Sequence, residues 1–120
     1  MVLPGKVAIV TGASRGIGKA IALKLAAEGY AVTVHCKTGF AEAEAVVAQI
    51  AEAGGTASLL SFDISDRDAC REALEYETDE GGAFWGVVLN AGIARDNAFP
   101  AMPGEDWDAV LHTNLDGFYN

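Results

Sequence analysis

A glycine-rich segment, Thr11 to Gly18 (TGASRGIG), follows the short apolar run Lys6–Val10. Glycines in such a place let the main chain turn sharply and let a phosphate group approach it closely. Free N–H groups and the dipole at the start of a following helix also favour an anion. The segment predicts a pyrophosphate site rather than a turn that binds nothing. Its candidate contacts are Gly12, Ser14, Arg15, Gly16, Ile17 and Gly18.

A second candidate group follows the next apolar run, where the chain reads His35-Cys36-Lys37-Thr38 and carries no acid. In NAD sites a carboxylate at this place usually binds the ribose 2′-hydroxyl. Lys37, together with Arg15, would instead suit a 2′-phosphate through charge-assisted hydrogen bonds. The pattern favours NADP(H) over NAD(H), and the alternative for Lys37 alone is a solvated loop lysine.

The elements that must position these residues alternate between strand and helix. Short β-branched runs indicate strands buried on both faces, and apolar stripes at helical spacing indicate helices between them. The predicted strands are 6–10, 31–35, 57–62 and 85–89, and the predicted helices are 16–29, 40–53, 66–78 and one that begins near Glu105. The alternation predicts a single α/β domain over residues 1–120. We expect a Rossmann-type doubly wound parallel sheet with helices on both faces.

The spacing GxxxGxG after Thr11 resembles that of the short-chain dehydrogenase/reductase family. Asp63-Ile64 after the third strand, Asn90-Ala91-Gly92 after the fourth, and Asn114 in the last helix match further family motifs in order and spacing. The resemblance implies that Asp63-Ile64 and Asn90-Ala91-Gly92 bind the cofactor, with Asp63 hydrogen-bonded to the adenine. It also implies that Asn114 is a catalytic residue that helps to hold a water in the proton relay. Leu89 departs from the family pattern, which has Asn there.

The rest of the family's catalytic set is not found in these 120 residues. The family uses a Tyr-x-x-x-Lys turn, in which Lys lowers the Tyr pKa for proton transfer, and a Ser upstream of it. Here the residues four after Tyr30 and Tyr76 are Val34 and Glu80, and the chain stops just after Tyr119. We expect the front half of a longer reductase, inactive alone, whose continuation covers the apolar fourth strand. The alternatives are a partner chain that covers this strand, and a module that binds NADP(H) without turnover.

The residues after the fourth strand suggest a substrate class. Arg95-Asp96-Asn97 and Glu105-Asp106-Trp107 resemble the 3-oxoacyl-(acyl-carrier-protein) reductase branch of the family, in fatty-acid or polyene-type biosynthesis. The resemblance implies NADPH-dependent reduction of a 3-oxoacyl thioester on acyl carrier protein, by a homodimer or homotetramer. The alternative is a reductase of another ketone or alcohol. No Lys or Arg follows Arg95, so a basic docking patch for an acidic carrier protein is not visible.

Composition limits the remaining functions. Lys and Arg number 8 against 17 Asp and Glu, a net charge of −9, which argues against a nucleic-acid or anionic-membrane surface. No stretch approaches the roughly 18 apolar residues of a membrane span, and the apolar run near the start is too short for a secretion signal. Cys36 and Cys70 are expected to be free thiols in the cytoplasm. His35 and His112 lack partners at ligand spacing, so they are predicted to be structural, with no metal site.

Overall fold

Four short apolar runs form one parallel sheet in the computed structural model, which describes residues 5–120. The strands are β1 (Val7–Val10), β2 (Ala31–Cys36), β3 (Ala57–Ser61) and β4 (Gly86–Val88). Their order across the sheet is β3-β2-β1-β4, and every neighbouring pair is parallel. Residues 1–4, part of the stretch in which no secretion signal was expected, lie outside the described range.

Helices connect the strands. They are α1 (Gly16–Ala27), α2 (Phe40–Glu52), α3 (Arg67–Gly81), α4 (Gly104–Leu111) and α5 (Gly117–Tyr119). A 3-10 turn, Phe99–Ala101, precedes α4, and a π-helical stretch, His112–Asp116, joins α4 to α5. The predicted α/β fold with a Rossmann-type sheet is confirmed, and β3-β2-β1-β4 matches the first four strands of such a sheet's order, 3-2-1-4-5-6.

The core lies between the sheet and the helices α1 and α2. Val10, Val32 and Val34 are at most 1% exposed and pack with Ala22 and Ile50. Successive side chains of a strand point to opposite faces of the sheet. Thr33 and His35, which alternate with these valines along β2, therefore occupy the other face.

Several predicted boundaries are shifted in the structure. Strand β4 has three residues, not the five of 85–89, because it pairs only with β1, over Ala8–Val10. Strand β2 extends to Cys36, and β3 stops one residue before Phe62. The helix predicted from residue 66 does begin there: Asp66 is its cap residue, and its side chain accepts a hydrogen bond from the Ala69 N–H at 3.0 Å.

The predicted end of α3 near Thr78 is wrong. The helix continues through Asp79 and Glu80 and ends at Gly81. Gly82 follows with a φ of +82°, a conformation that glycine adopts at no steric cost, and this residue stops the helix.

Strand β4 forms one edge of the described sheet. Val87 in this strand is 57% exposed, and Leu89 just after it is 47% exposed, so large apolar side chains are exposed along this edge strand. An unpaired apolar edge is a site for further pairing. Within residues 5–120, no helix has the length and hydropathy to cross a membrane.

Candidate functional site

The predicted ligand residues follow the carboxyl ends of the four strands. The glycine segment follows β1, Lys37 follows β2, Asp63 follows β3, and Asn90-Ala91-Gly92 follows β4. Because all four strands are parallel, these ends lie at the same edge of the sheet, where ligands bind in open α/β sheets. The fold therefore brings together groups that lie up to 80 residues apart in the chain.

The glycines of the segment have different physical roles. A Cβ on Gly12 would lie 2.9 Å from the Cα of Ala91, and a Cβ on Gly18 would lie 2.5 Å from the Asn90 Nδ2. Both glycines thus allow the segment to pack closely against the turn after β4. Gly16 has a φ of +60° and open space around a would-be Cβ. Gly16 is therefore the glycine beside which a ligand has room.

The start of α1 is suited to a phosphate group. Arg15 is the cap residue, but its side chain accepts no hydrogen bond from the helix, and no acidic residue lies in the first turn. The first N–H groups and the positive end of the helix dipole are therefore not compensated by a side chain. Ile17 is 74% exposed next to them, and Arg15 is exposed. These features fit the pyrophosphate of a dinucleotide.

Thr11 and Asn90 hold the glycine segment against the turn after β4. The Thr11 Oγ1 accepts hydrogen bonds from the N–H groups of Asn90 and Ala91, each at 3.0 Å. The Asn90 Nδ2 donates to the carbonyl oxygens of Thr11, at 3.0 Å, and Gly12, at 3.2 Å. Both amide hydrogens of Asn90 are used within the protein, so this side chain positions the segment. Thr11 was not among the predicted contacts, and its place directly before the first glycine was the available signal.

His35 lies beneath the same segment and is 1% exposed. Its Nδ1 accepts a hydrogen bond from the Gly12 N–H at 3.1 Å, and its Nε2 donates to the Phe62 carbonyl oxygen at 2.8 Å. Burial lowers the pKa of His35 below its ordinary value, although the bond to Phe62 and the charge of Asp63 act in the opposite direction. The sequence predicts a structural role for His35 and does not include it among the ligand-binding residues. The structure places it in contact with the glycine segment.

Lys37 and Asp63 form an ion pair between the ends of β2 and β3, with Nζ and Oδ2 3.3 Å apart. The Asp63 Oδ1 accepts hydrogen bonds from the Ser65 N–H at 2.9 Å and the Ser65 hydroxyl at 2.7 Å. Partial burial raises the pKa of Asp63, but the bonds from Ser65 and Lys37 outweigh it and the pKa lies below its ordinary value. The Ser14 Oγ lies 3.4 Å from a Cβ built on Gly39, so Ser14 approaches the loop that carries Lys37.

Asn114 lies in the π-helical stretch and contacts the segment that follows β4. Its Oδ1 accepts from the Ile93 N–H at 2.8 Å, and its Nδ2 donates to the Ile93 carbonyl oxygen at 2.9 Å. A Cβ on Gly92 would lie 3.2 Å from the same Oδ1. Asn114 therefore fixes the main chain just beyond Asn90-Ala91-Gly92. A π-helical turn inside a helix frequently marks a functional site.

The side chain of Ile64 is placed differently from the others. It is 9% exposed and lies against α5, where a Cβ on Gly117 would be 2.8 Å from its Cδ1. The main-chain carbonyl oxygen of Ile64 is also engaged within the protein, because it accepts a hydrogen bond from the Asn120 Nδ2 at 2.9 Å. Among residues 5–120, no three metal-ligating side chains come together.

This arrangement can be compared with known proteins. The family model described as short chain dehydrogenase matches residues 6–120. The chain belongs to the short-chain dehydrogenase family. The glycine segment, Asp63, Asn90-Ala91-Gly92 and Asn114 all fall within the matched residues.

Individual members of the short-chain dehydrogenase family resemble the chain over nearly all of its residues. The 3-oxoacyl-(acyl-carrier-protein) reductase FabG of Aggregatibacter actinomycetemcomitans is 55% identical over 93% of this chain and 46% of its own length. The enzyme of the same name from Staphylococcus aureus is 42% identical over 96% of this chain and 47% of its own length. The chain spans about half the length of these relatives.

A solved structure of the family superposes closely on this one. A gluconate 5-dehydrogenase from Burkholderia cenocepacia, in complex with NADP and tartrate, has a TM-score of 0.89 and 32% sequence identity. The match covers 99% of this chain and 46% of the other. The four-stranded sheet and its glycine segment thus have the architecture of a short-chain dehydrogenase.

Proposed function

We propose that the protein is an NADPH-dependent reductase that converts a 3-oxoacyl thioester, carried by acyl carrier protein, to the 3-hydroxyacyl thioester. The observation that carries the proposal is the 55% identity to a 3-oxoacyl-(acyl-carrier-protein) reductase over 112 residues, which is 93% of this chain. The glycine segment, the Lys37–Asp63 pair and Asn114 supply a cofactor site and the start of a catalytic site at that edge.

The residues present fit NADP(H). Gly16 and the uncapped first turn of α1 would hold the pyrophosphate, with Ile17 and Gly18 in the same turn. The exposed cations Arg15 and Lys37 would bind the 2′-phosphate. Bound NADPH would supply a hydride to the carbonyl carbon of the substrate.

The adenine end of the cofactor is proposed to lie at Asp63-Ile64. The Asp63 carboxylate is held by Ser65 and Lys37, so its position is set before a ligand arrives. The turn Asn90-Ala91-Gly92 would border the other side of the site, since Gly12 packs directly against Ala91.

Asn114 is the one residue of the described chain proposed for the catalytic step. One donor and one acceptor of its amide hold Ile93, and the other donor and acceptor positions remain for a water of a proton relay. The proton that the alkoxide oxygen needs must come from another group, because the 120 residues contain no Tyr-x-x-x-Lys. We propose that a Tyr and a Lys from outside these residues supply it.

A second candidate function is oxidoreduction of a hydroxy acid or polyol. The structural similarity to a gluconate 5-dehydrogenase, a complex with NADP and tartrate, favours it. The identity of 32% to that protein is lower than the 55% to the reductase. For this reason we propose a 3-oxoacyl thioester, rather than a hydroxy acid or polyol, as the substrate. The further alternative is a chain that binds NADP(H) without turnover.

The test follows NADPH oxidation by the native polypeptide with a 3-oxoacyl thioester, and then with a panel of keto acids and ketones. Faster turnover of the thioester supports the proposal. Preference for a keto acid such as 5-ketogluconate favours the second function, and binding of NADPH without oxidation by any substrate favours the non-catalytic module. The intact mass of the purified protein shows whether the assayed polypeptide is heavier than the 12.5 kDa of these 120 residues.

We propose that the protein acts as a homodimer or homotetramer through its last helical segment. Trp107, Leu115 and Phe118 are 52%, 64% and 68% exposed on α4, the π-helical stretch and α5. Burying aromatic and leucine side chains of this size is a main source of association free energy. Sedimentation of the native protein tests the assembly, and Trp107→Lys should shift it towards smaller species.

A further inference from the structure

The ring of His35 connects three strand ends. His35 belongs to β2, its Nδ1 is 3.1 Å from the Gly12 nitrogen after β1, and its Nε2 is 2.8 Å from the Phe62 oxygen after β3. The Phe62 ring also packs on the imidazole, with ring centroids 4.4 Å apart. The carbonyl oxygen of His35 accepts from the Ala13 N–H at 2.9 Å, so side chain and main chain hold neighbouring residues of the glycine segment.

These two contacts require one protonation state. The Gly12 N–H is a donor, so Nδ1 must carry no proton and must accept. The Phe62 carbonyl oxygen is an acceptor, so Nε2 must carry the proton. Neutral imidazole with hydrogen on Nε2 satisfies both bonds. A protonated ring would direct an N–H group at the Gly12 N–H, and that bond would be lost.

We propose that His35 is a positioning residue for the phosphate-binding segment: its unprotonated Nδ1 holds Gly12 in place, and protonation of the ring releases the segment and weakens NADPH binding. This inference rests on the proposed NADPH-dependent function. It concerns how the site is held and not a contact between His35 and the cofactor.

The surroundings of the ring set the pH range of the effect. Asp63, directly after Phe62, is the charged group that acts on the ring, and it favours the imidazolium. Lys37 pairs with Asp63 and offsets its charge. The glycine segment presents main-chain amides to the ring and carries one exposed cation, Arg15. Burial outweighs the carboxylate and lowers the pKa of His35. The segment is therefore held at neutral pH and released only below the ordinary histidine value of about 6.5.

Two variants separate the two ring nitrogens. In His35→Asn, the amide oxygen is attached where Nδ1 is attached and can accept from Gly12. In His35→Gln, the side-chain amide reaches the place of Nε2 and can donate to Phe62, but Gly12 loses its acceptor. A merely structural role would make the two variants equally harmful.

The first measurement is the Kd of NADPH for the full native polypeptide and both variants, by cofactor fluorescence from pH 5 to 8. We expect His35→Gln to weaken binding about tenfold at pH 7.5, the effect of one hydrogen bond of about 1.4 kcal/mol. His35→Asn should bind nearly as tightly as wild type. The 2′-phosphate of the cofactor itself titrates near pH 6, and this effect is common to the wild type and both variants. The proposal therefore requires the wild type to lose more affinity than His35→Asn as the pH falls. Equal pH profiles for these two, or equal Kd values for the two variants, would overturn the proposal.

The second measurement needs no cofactor. Nitrogen-15 NMR of the ring in the unliganded protein should show a bare Nδ1 and a protonated Nε2 at neutral pH. The opposite tautomer would overturn the proposal even if both variants failed to fold. Failure of the wild type to bind NADPH would instead remove the proposed function, and with it the cofactor part of this inference, whereas the NMR result would still decide the His35–Gly12 bond.

Discussion

The Lys37 ammonium lies 3.3 Å from the Asp63 carboxylate, and this ion pair joins the ends of β2 and β3 at the candidate site. The side chains are 63% and 34% exposed. A pair this exposed adds little to stability. The ion pair instead fixes the position of Lys37. It holds this lysine, which we assign to the 2′-phosphate, next to Asp63, which we assign to the adenine.

Replacing Lys37 should change the choice between cofactors. In Lys37→Gln, the 2′-phosphate loses a charge-assisted hydrogen bond of about 1.5–3 kcal/mol. We expect NADPH binding to weaken about tenfold or more, with little change for NADH. The measurement is the Kd ratio of the two cofactors. Lys24→Gln is the matched control, since Lys24 is a surface lysine paired only with Glu28 in the described chain; the same loss in both variants would contradict the assignment.

The lowered pKa of Asp63 predicts a contribution to acid stability. A carboxyl whose folded pKa lies below its unfolded value of about 3.9 stabilises the fold in full above that value. This contribution is lost as the pH falls through the folded pKa. Asp63→Asn removes the titration, so its free energy of unfolding should decline less steeply than the wild type's below about pH 4.

Urea unfolding of the native protein over a series of pH values measures this slope. Asp79→Asn, at an exposed position of α3, serves as the control and should follow the wild type. A slope for Asp63→Asn that matches the wild type would show that Asp63 has no such role.

Gly16 is the position at which charge alone can be tested. Its φ of +60° is one that Asn and Asp tolerate better than other side chains, and a Cβ there meets no other atom within 4 Å. Gly16→Asp and Gly16→Asn thus share the same strain and size. The carboxylate should weaken NADPH binding more than the amide, by about 1–4 kcal/mol for two charges about 4 Å apart. Equal Kd values would place the pyrophosphate away from this residue.

Asn114 should affect turnover more than cofactor binding. Asn114→Ala removes both bonds to Ile93 and frees the segment beyond the Asn90-Ala91-Gly92 turn. Misplacement of a catalytic group by about 1 Å lowers turnover about 10²-fold. We expect a loss of this size in kcat with little change in the Kd of NADPH. Asn97→Ala, which removes an exposed bond to the Ala101 carbonyl, is the control.

Local signals in the sequence were sufficient for the fold class. The β-branched runs, the glycine segment and the Asp66 cap depend on residues within a few positions of one another, so the strand–helix alternation could be predicted. The ends of elements depend on more distant residues. The extent of β4 depends on the length of β1 opposite it, and the π-helical stretch from His112 to Asp116 left no local signature.

The sequence by itself determined which chemical groups the strand ends carry: the glycine segment, the cations Arg15 and Lys37, and the carboxylate of Asp63. It also determined that the last helical segment carries the amide of Asn114. Only the tertiary structure decided what these groups do to one another. The bonds from Gly12 to His35 and from Ala91 to Thr11 span 23 and 80 residues. Such contacts depend on strand order and register, which bring distant main-chain donors within reach of side-chain acceptors, and no spacing along the chain encodes them.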